Sequence, residues 1–129
     1  RNDLGNPRCK YLVVEEEGRV VAYGGMWIVR EEAHITTLAV HPDYRRRGIA
    51  RHLLGSMIKE ALRRRARVMT LEVREANSAA IALYDEFGFS PIGKIKHYYL
   101  DTGENAQVMR LNPLRLPPTF AESTENPVA

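Results

Sequence analysis

The chain has 129 residues, of which 44% are hydrophobic and 27% are charged, and its formal net charge is +3. This composition excludes an intrinsically disordered chain, and the length allows one domain with one sizeable core rather than two ordinary domains. The lone cysteine cannot form an intrachain disulfide and no apolar run approaches a membrane span, so we expect a cytoplasmic protein with no membrane partner.

The first third of the chain predicts three β-strands. The stretch "YLVVEEEGRVVAYGGMWIV" predicts a hairpin with strands at about 10–15 and 20–29 and a turn at 17–18. A third strand is expected at 33–40. It ends before Pro42, because the residue before a proline is driven to extended geometry and proline cannot donate to a strand ladder.

The rest of the chain predicts two helices and three strands. Apolar residues at helical spacing predict an amphipathic helix at about 48–65. Alternating branched residues predict a strand at 68–74, with Glu72 on the face opposite its large apolar side chains. Asn77 is a typical N-cap and Gly88 a typical helix end. The last predicted elements are a helix at 78–87 and strands at 89–100 and 106–111, joined by a turn at 101–105.

The order of these elements predicts a mixed α/β domain with one central sheet. We assign residues 1–111 to this domain. The segment 112–129 is rich in proline and lacks any period, so we expect a largely irregular tail.

The stretch "HPDYRRRGIARHLL" places an arginine cluster, 45–47 and Arg51, at the start of the first helix. Helix N-termini present unpaired N–H groups that bind phosphate, and Gly48 and Ala50 leave room for close approach. These arginines would repel the helix dipole unless a polyanion binds there. The usual glycine-rich phosphate loops are absent from the sequence. A solvated, arginine-rich loop is the alternative.

Residues 45–50 match the Q/R-x-x-G-x-G/A motif with which the GNAT family of N-acetyltransferases holds the pyrophosphate of acetyl-coenzyme A (acetyl-CoA). "LEVREANSAAIALYDEFGF" and "KHYYL" resemble further motifs of that family, and the likeness runs in collinear order from about Tyr11 to Leu111. The resemblance implies an α/β GNAT fold, with a central, mostly antiparallel, twisted sheet and flanking helices. It also leads us to expect that the chain lacks the family's N-terminal strand and helices, whose loop helps to form the acceptor groove.

The same resemblance implies the site residues. Glu72 would take the proton of the amine, unless it faces solvent or pairs with an arginine. Tyr84 would protonate the leaving thiolate, although core packing is the alternative. Tyr98 and Tyr99 would line the acceptor groove, unless they pack on alternate faces of a strand. The expected acetyl-CoA-binding residues are Leu38, Ala39, Val40, Arg45, Arg46, Arg47, Gly48, Ile49, Ala50, Arg51, Asn77 and Tyr84. No metal is expected, because His34, His41, His52 and His97 lack metal-ligand spacing.

Within the family the motifs are most similar to those of bacterial ribosomal-protein-alanine N-acetyltransferases, which implies transfer of acetyl from acetyl-CoA to the N-terminal alanine of a ribosomal protein. Cys9 lies far from the motifs and no G-x-S-x-G elbow is present, so we expect direct transfer without a covalent intermediate. An α-amine, with a pKa of about 7.7–8.0 against about 10.4 for lysine, is suited to one modest base. Three alternatives stay open: an acetyltransferase for a small amine or protein lysine, a coenzyme-binding but inactive truncated form, and nucleic-acid binding. We disfavour nucleic acid, because aromatic residues are not interleaved with the arginines of 45–51 and 63–67.

Overall fold

The computed structural model describes residues 8–118. It confirms the predicted order of elements, and the predicted boundaries fall within two residues of the observed ones. The elements are β1 (Cys9–Glu16), β2 (Arg19–Val29), β3 (Glu32–Val40), α1 (Ile49–Arg63), β4 (Val68–Arg74), α2 (Ser78–Glu86), β5 (Ser90–Tyr99) and β6 (Glu104–Leu111). A 3₁₀ turn, Pro42–Tyr44, connects β3 to the loop before α1.

The six strands form one mixed sheet in the order β1-β2-β3-β4-β6-β5. Neighbouring strands are antiparallel except β3 and β4, which are parallel. The connection between these two strands carries α1, as a parallel crossover requires. The predicted mostly antiparallel sheet with flanking helices is therefore confirmed.

Local side-chain chemistry explains several boundaries. Glu17 and Gly18 both have positive φ, which suits a tight hairpin whose twist matches that of its strands. The Asn77 side chain accepts a hydrogen bond from the Ala80 N–H at 3.1 Å and so caps α2. Gly88 follows α2 with φ +100°, the left-handed conformation that commonly ends a helix.

Helix α1 packs on one face of the sheet. Its predicted apolar stripe is confirmed at Leu53, Leu54 and Met57, which are almost wholly buried, but not at its last member, Leu62, which is 38% exposed. The helix approaches β2 closely: a Cβ added at Gly24 would lie 2.6 Å from the sulfur of Met57. Glycine at this position therefore lets the helix and the strand meet.

Strands β3 and β4 pair over only part of their length. The paired residues are Glu32 with Val68, Ala33 with Met69, and His34 with Thr70. Beyond His34 the two strands run on without pairing to each other, to Val40 and Arg74 respectively. We call the space between residues 35–40 and 71–74 the strand gap.

The segment after β6 is irregular from 112 to 117. Leu114 is buried and its N–H donates to the Arg67 carbonyl at 2.8 Å, so the start of the predicted tail contacts the core. Residues 119–129 of that tail lie outside the described residues. In the described part of the chain, no helix has the length and apolar character needed to cross a membrane.

Candidate functional site

The start of α1 offers a cradle for an anion. Gly48 has φ +79°, and a Cβ added there would meet no heavy atom within 4 Å. Arg46 also has a positive φ, of 66°. The first N–H groups of a helix lack intrahelical acceptors, so the open space at Gly48 leads to hydrogen-bond donors at the positive end of α1. This geometry fits a ligand that carries phosphate groups.

Three of the four arginines in this cluster already have protein partners. Arg45 Nε donates to the Val40 carbonyl at 3.1 Å, and the Arg47 guanidinium lies 4.8 Å from the centre of the Tyr44 ring. Arg51 forms an ion pair with Glu86 of α2. These three side chains are therefore partly engaged by a backbone carbonyl, an aromatic ring and a carboxylate. The carboxylate of Glu86 offsets part of the positive charge, and the backbone N–H groups at the start of α1 are further donors for an anion.

The strand gap begins where β3 and β4 stop pairing. Leu38, Ala39 and Val40 lie beyond that point and are half-buried, and their partners are on the β2 side. Their other edge faces the strand gap, so an extended ligand arm could lie there as an added strand. The Val40 carbonyl is engaged by Arg45, which ties the end of β3 to the arginine loop.

Glu72 lies in the middle of β4, beside the strand gap. Met69 and Leu71 of the same strand are buried in the core, as the predicted alternation requires, whereas the Glu72 side chain is 21% exposed. Its Oε1 lies 2.9 Å from Nε2 of His34 on the neighbouring strand. The alternative that Glu72 pairs with an arginine is therefore not what the structure shows, since its partner is a histidine.

His34 makes three contacts through one ring. Its Nδ1 lies 2.7 Å from the Thr70 hydroxyl, and its Nε2 contacts Glu72. The ring also stacks on Trp27 of β2, with centroids 5.2 Å apart and 22° between the planes. Sequence reasoning assigned this residue no role. The signal that could have found it was strand register, since His34 lies opposite Thr70 and Glu72 is two residues further on the same face.

Tyr84 is buried on α2. Its ring meets Phe89 edge to face, with centroids 5.6 Å apart, so it does pack in the core as the alternative supposed. Burial raises the pKa of Tyr84 to about 12, and the nearby Tyr99 adds to the shift in pKa. The phenol therefore keeps its proton at neutral pH.

Tyr98 and Tyr99 lie at a β-bulge. His97 has φ +53°, and the pairing of β5 with β6 shifts between Ile95 and Tyr99. The bulge disturbs the alternation that would have sent the two rings to opposite faces, and they meet edge to face with centroids 5.0 Å apart. Burial raises the pKa of Tyr99, and the negative charge of Glu72 contributes to that increase. Tyr99 thus interacts electrostatically with both Glu72 and Tyr84.

Arg74, at the end of β4, supports this cluster. Its guanidinium lies 4.1 Å from the centre of the Tyr99 ring. It also pairs with Asp101 at 3.0 Å and with Glu104 at 3.2 Å, which anchors the β5–β6 turn, and its hydrogen bond lowers the pKa of Asp101. Sequence reasoning missed Arg74, because its partners lie about thirty residues further along the chain.

The acetyltransferase (GNAT) family model matches residues 1–89. The chain belongs to the GNAT family of acetyltransferases. Enzymes of this family use acetyl-CoA as the acetyl donor. In this chain the mixed sheet, with its strand gap between the parallel strands β3 and β4, agrees with the GNAT fold that the sequence motifs implied.

Within the family, the chain is similar to two curated relatives and one solved structure that are named as ribosomal protein alanine N-acetyltransferases. The chain is 42% identical to the putative ribosomal protein bS18-alanine N-acetyltransferase of Bacillus subtilis, over 82% of the chain and 70% of the relative. It is 39% identical to the corresponding enzyme of Escherichia coli K12, over 74% of the chain and 66% of the relative. The crystal structure of the E. coli ribosomal-protein-S18-alanine N-acetyltransferase aligns with a TM-score of 0.79 and 34% identity, covering 88% of the chain and 74% of that structure.

Proposed function

We propose that this acetyltransferase transfers the acetyl group of acetyl-CoA to the N-terminal α-amine of a protein, with the N-terminal alanine of a ribosomal protein as acceptor. The observation that carries the proposal is Glu72, a half-buried carboxylate beside the strand gap, whose β3 edge is tied at Val40 to the arginine loop before Gly48. The likeness to enzymes named for ribosomal protein bS18-alanine supports the choice of acceptor.

Acetyl-CoA fits the two features at the coenzyme side of the site. The backbone N–H groups from Gly48 to Ala50 would hold its diphosphate, with Arg46 the least engaged of the neighbouring guanidinium groups. The free edge of residues 38–40 would hold the extended arm, with one backbone N–H toward the thioester oxygen. When bound, the coenzyme supplies an activated acetyl thioester: a carbon–nitrogen bond forms to the amine and the carbon–sulfur bond breaks.

Glu72 is the proposed base. A protein α-amine with an ordinary pKa of about 7.7–8.0 is largely protonated at neutral pH and must lose a proton before it can attack. A carboxylate beside the strand gap can accept that proton directly or through one water. Lysine needs roughly 3 kcal/mol more to lose its proton, so a single carboxylate of this kind suits an N-terminus better.

Tyr84 is the proposed donor to the leaving sulfur. Its pKa of about 12 keeps the phenol protonated, so an O–H group is available at every physiological pH. The same burial makes the phenol a weak acid, and a thiolate with a pKa of roughly 8.5 is a weaker base than the tyrosinate. Tyr84 therefore acts first by hydrogen bonding to the developing negative charge on sulfur.

Tyr98 and Tyr99 are the proposed walls of the acceptor groove. The bulge at His97 brings the two rings together, Arg74 lies over the Tyr99 ring, and the charge of Glu72 acts on Tyr99. A pair of aromatic walls beside a carboxylate suits the first residues of an extended peptide, whose ammonium group is drawn toward the carboxylate and the ring faces.

An acetylation assay with matched peptides tests the choice of acceptor. The set is an alanine-starting peptide, the same peptide with a blocked N-terminus and an internal lysine, and a polyamine. We expect acetylation of the free alanine peptide alone. Transfer to the blocked peptide or to the polyamine would replace this proposal with lysine or small-amine acetylation. Binding of acetyl-CoA without transfer to any of them would indicate an inactive coenzyme-binding protein.

Two conservative variants test the roles of the side chains. Glu72→Gln removes the base and Tyr84→Phe removes the hydroxyl, while each keeps nearly the same shape. We expect either change to lower kcat by about 10²-fold or more, as loss of general acid–base catalysis does. An unchanged kcat in both variants would overturn the two assignments.

A further inference from the structure

We propose that His34 is a positioning residue for the reaction, which holds the carboxylate of Glu72 in one orientation while Thr70 fixes the tautomer of the histidine ring. This inference rests on the proposed function, because it gives His34 a role only through Glu72. The three side chains form one chain of contacts along the edge of the strand gap, with distances of 2.7 Å from Thr70 to His34 and 2.9 Å from His34 to Glu72.

The chemistry of the contacts assigns the protons. An ionised carboxylate can only accept hydrogen bonds, so the nitrogen that faces Glu72 must be the donor, Nε2–H. In the neutral ring the other nitrogen is then an acceptor, and it accepts the hydroxyl proton of Thr70. Thr70 thereby favours the tautomer that Glu72 needs.

The surroundings restrict the motion of the ring. His34 forms the last residue pair between β3 and β4, directly opposite Thr70, so its backbone is fixed where the strand gap begins. Its ring lies flat on Trp27, and its side chain is 17% exposed. A half-turn of the ring would break both hydrogen bonds, and any smaller rotation would also disturb the stacking on Trp27.

This arrangement divides the work of the two oxygens of Glu72. Oε1 accepts the hydrogen bond from His34, which leaves Oε2 for the proton of the amine. Without that bond the carboxylate of Glu72, whose side chain is 21% exposed, can rotate and turn toward water. A shift of about 1 Å in a catalytic group can lower a rate by up to about 10²-fold, so the orientation of Glu72 affects kcat.

Two matched substitutions at His34 separate the two hydrogen bonds. Glutamine places its amide nitrogen near the position of Nε2 and can still donate to Glu72, whereas the shorter asparagine reaches only the position of Nδ1. We expect His34→Asn to lower kcat by about tenfold or more with the KM for acetyl-CoA unchanged, and His34→Gln to recover most of that loss. Thr70→Val, which keeps the shape and removes the hydroxyl, should give a smaller loss in kcat. Thermal unfolding of each variant shows whether it is folded.

A double-mutant cycle distinguishes this inference from the proposed function. If His34 acts through Glu72, His34→Asn lowers kcat in the wild type but causes no further loss in the Glu72→Gln variant. An equal loss in both backgrounds, or equal activity of the Asn and Gln variants, overturns the inference. If Glu72→Gln itself keeps the wild-type kcat, the assignment of the base in the proposed function fails first.

Nitrogen NMR of the imidazole gives a readout that needs no activity. We expect the Nε2–H tautomer of His34 in the wild-type protein and a smaller population of that tautomer in Thr70→Val, where Glu72 alone still favours it. A ring in the Nδ1–H tautomer in the wild type would overturn the inference, because Nε2 could not then donate to Glu72.

Discussion

Gly48 and Gly18 provide a matched pair of substitutions that tests the phosphate cradle. Both residues have left-handed φ, +79° and +83°, and a Cβ added at either would meet no heavy atom within 4 Å. Alanine should therefore add backbone strain without a clash at both positions. We expect each variant to lose about 1 kcal/mol in the free energy of unfolding, or roughly 4 °C in Tm.

The two variants should differ in their response to acetyl-CoA. The Gly48→Ala methyl group enters the space through which the diphosphate would approach the start of α1, whereas Gly18 lies in the β1–β2 turn. With acetyl-CoA at a hundred times the wild-type Kd, the free energy of unfolding should rise by about 2.7 kcal/mol in the wild type and in Gly18→Ala. If Gly48→Ala binds acetyl-CoA ten times more weakly, the same concentration should raise its free energy of unfolding by only about 1.4 kcal/mol.

Thermal unfolding with and without acetyl-CoA, together with calorimetric titration, measures both effects. Equal gains with acetyl-CoA in Gly18→Ala and Gly48→Ala would refute the placement of the diphosphate at Gly48. A much larger loss for Gly48→Ala than for Gly18→Ala without ligand would refute the strain argument, since the two sites offer the same space and nearly the same φ.

Three further predictions follow from other parts of the site. Burial raises the pKa of Tyr84 from 10.0 to about 12, so the folded state favours the protonated phenol. This contribution to the free energy of unfolding is complete below pH 10 and is lost as the pH rises toward 12. Urea unfolding should show that the free energy of unfolding falls by about 2–3 kcal/mol over this pH range in the wild type but not in Tyr84→Phe. The same dependence on pH in both proteins would contradict the raised pKa of Tyr84. Arg74→Met removes the cation above Tyr99, so the KM for an acceptor peptide should rise while the KM for acetyl-CoA does not; the reverse pattern would be evidence against the acceptor groove. Asn77→Ala removes the acceptor for the Ala80 N–H and should reduce the free energy of unfolding by about 1 kcal/mol, whereas an unchanged urea midpoint would show that the cap contributes nothing.

The features that sequence reasoning predicted are those with local causes. Pro42 ends a strand because of its own ring, and Asn77 caps a helix through an N–H group three residues away. Gly48 and Gly88 take backbone conformations that other residues adopt at a cost. The order of the elements follows from such signals, and so the α/β fold could be predicted without the structure.

The features that sequence reasoning missed depend on register between distant strands. His34 meets Glu72 across 38 positions of the chain, and only the pairing of β3 with β4 brings them together. The bulge at His97, which sets the relation of Tyr98 to Tyr99, likewise depends on a shift in pairing with β6. Composition gave no indication that the arginines before α1 would find partners within the fold.

The short pairing of β3 with β4 also has a mechanical consequence. It divides the sheet into two antiparallel halves, β1-β2-β3 and β4-β6-β5, which three residue pairs join along the backbone. The halves are also joined by the hydrogen bonds of Arg67 N–H and Val68 N–H to the Glu31 carbonyl, by the contacts of His34 with Thr70 and Glu72, and by side chains packed in the shared core. We expect a pulling force to separate the sheet first between β3 and β4, and a ligand bound along the free edge of β3 to add contacts between the two halves. The shortest strand pairing of the sheet and the proposed reaction centre are therefore the same place.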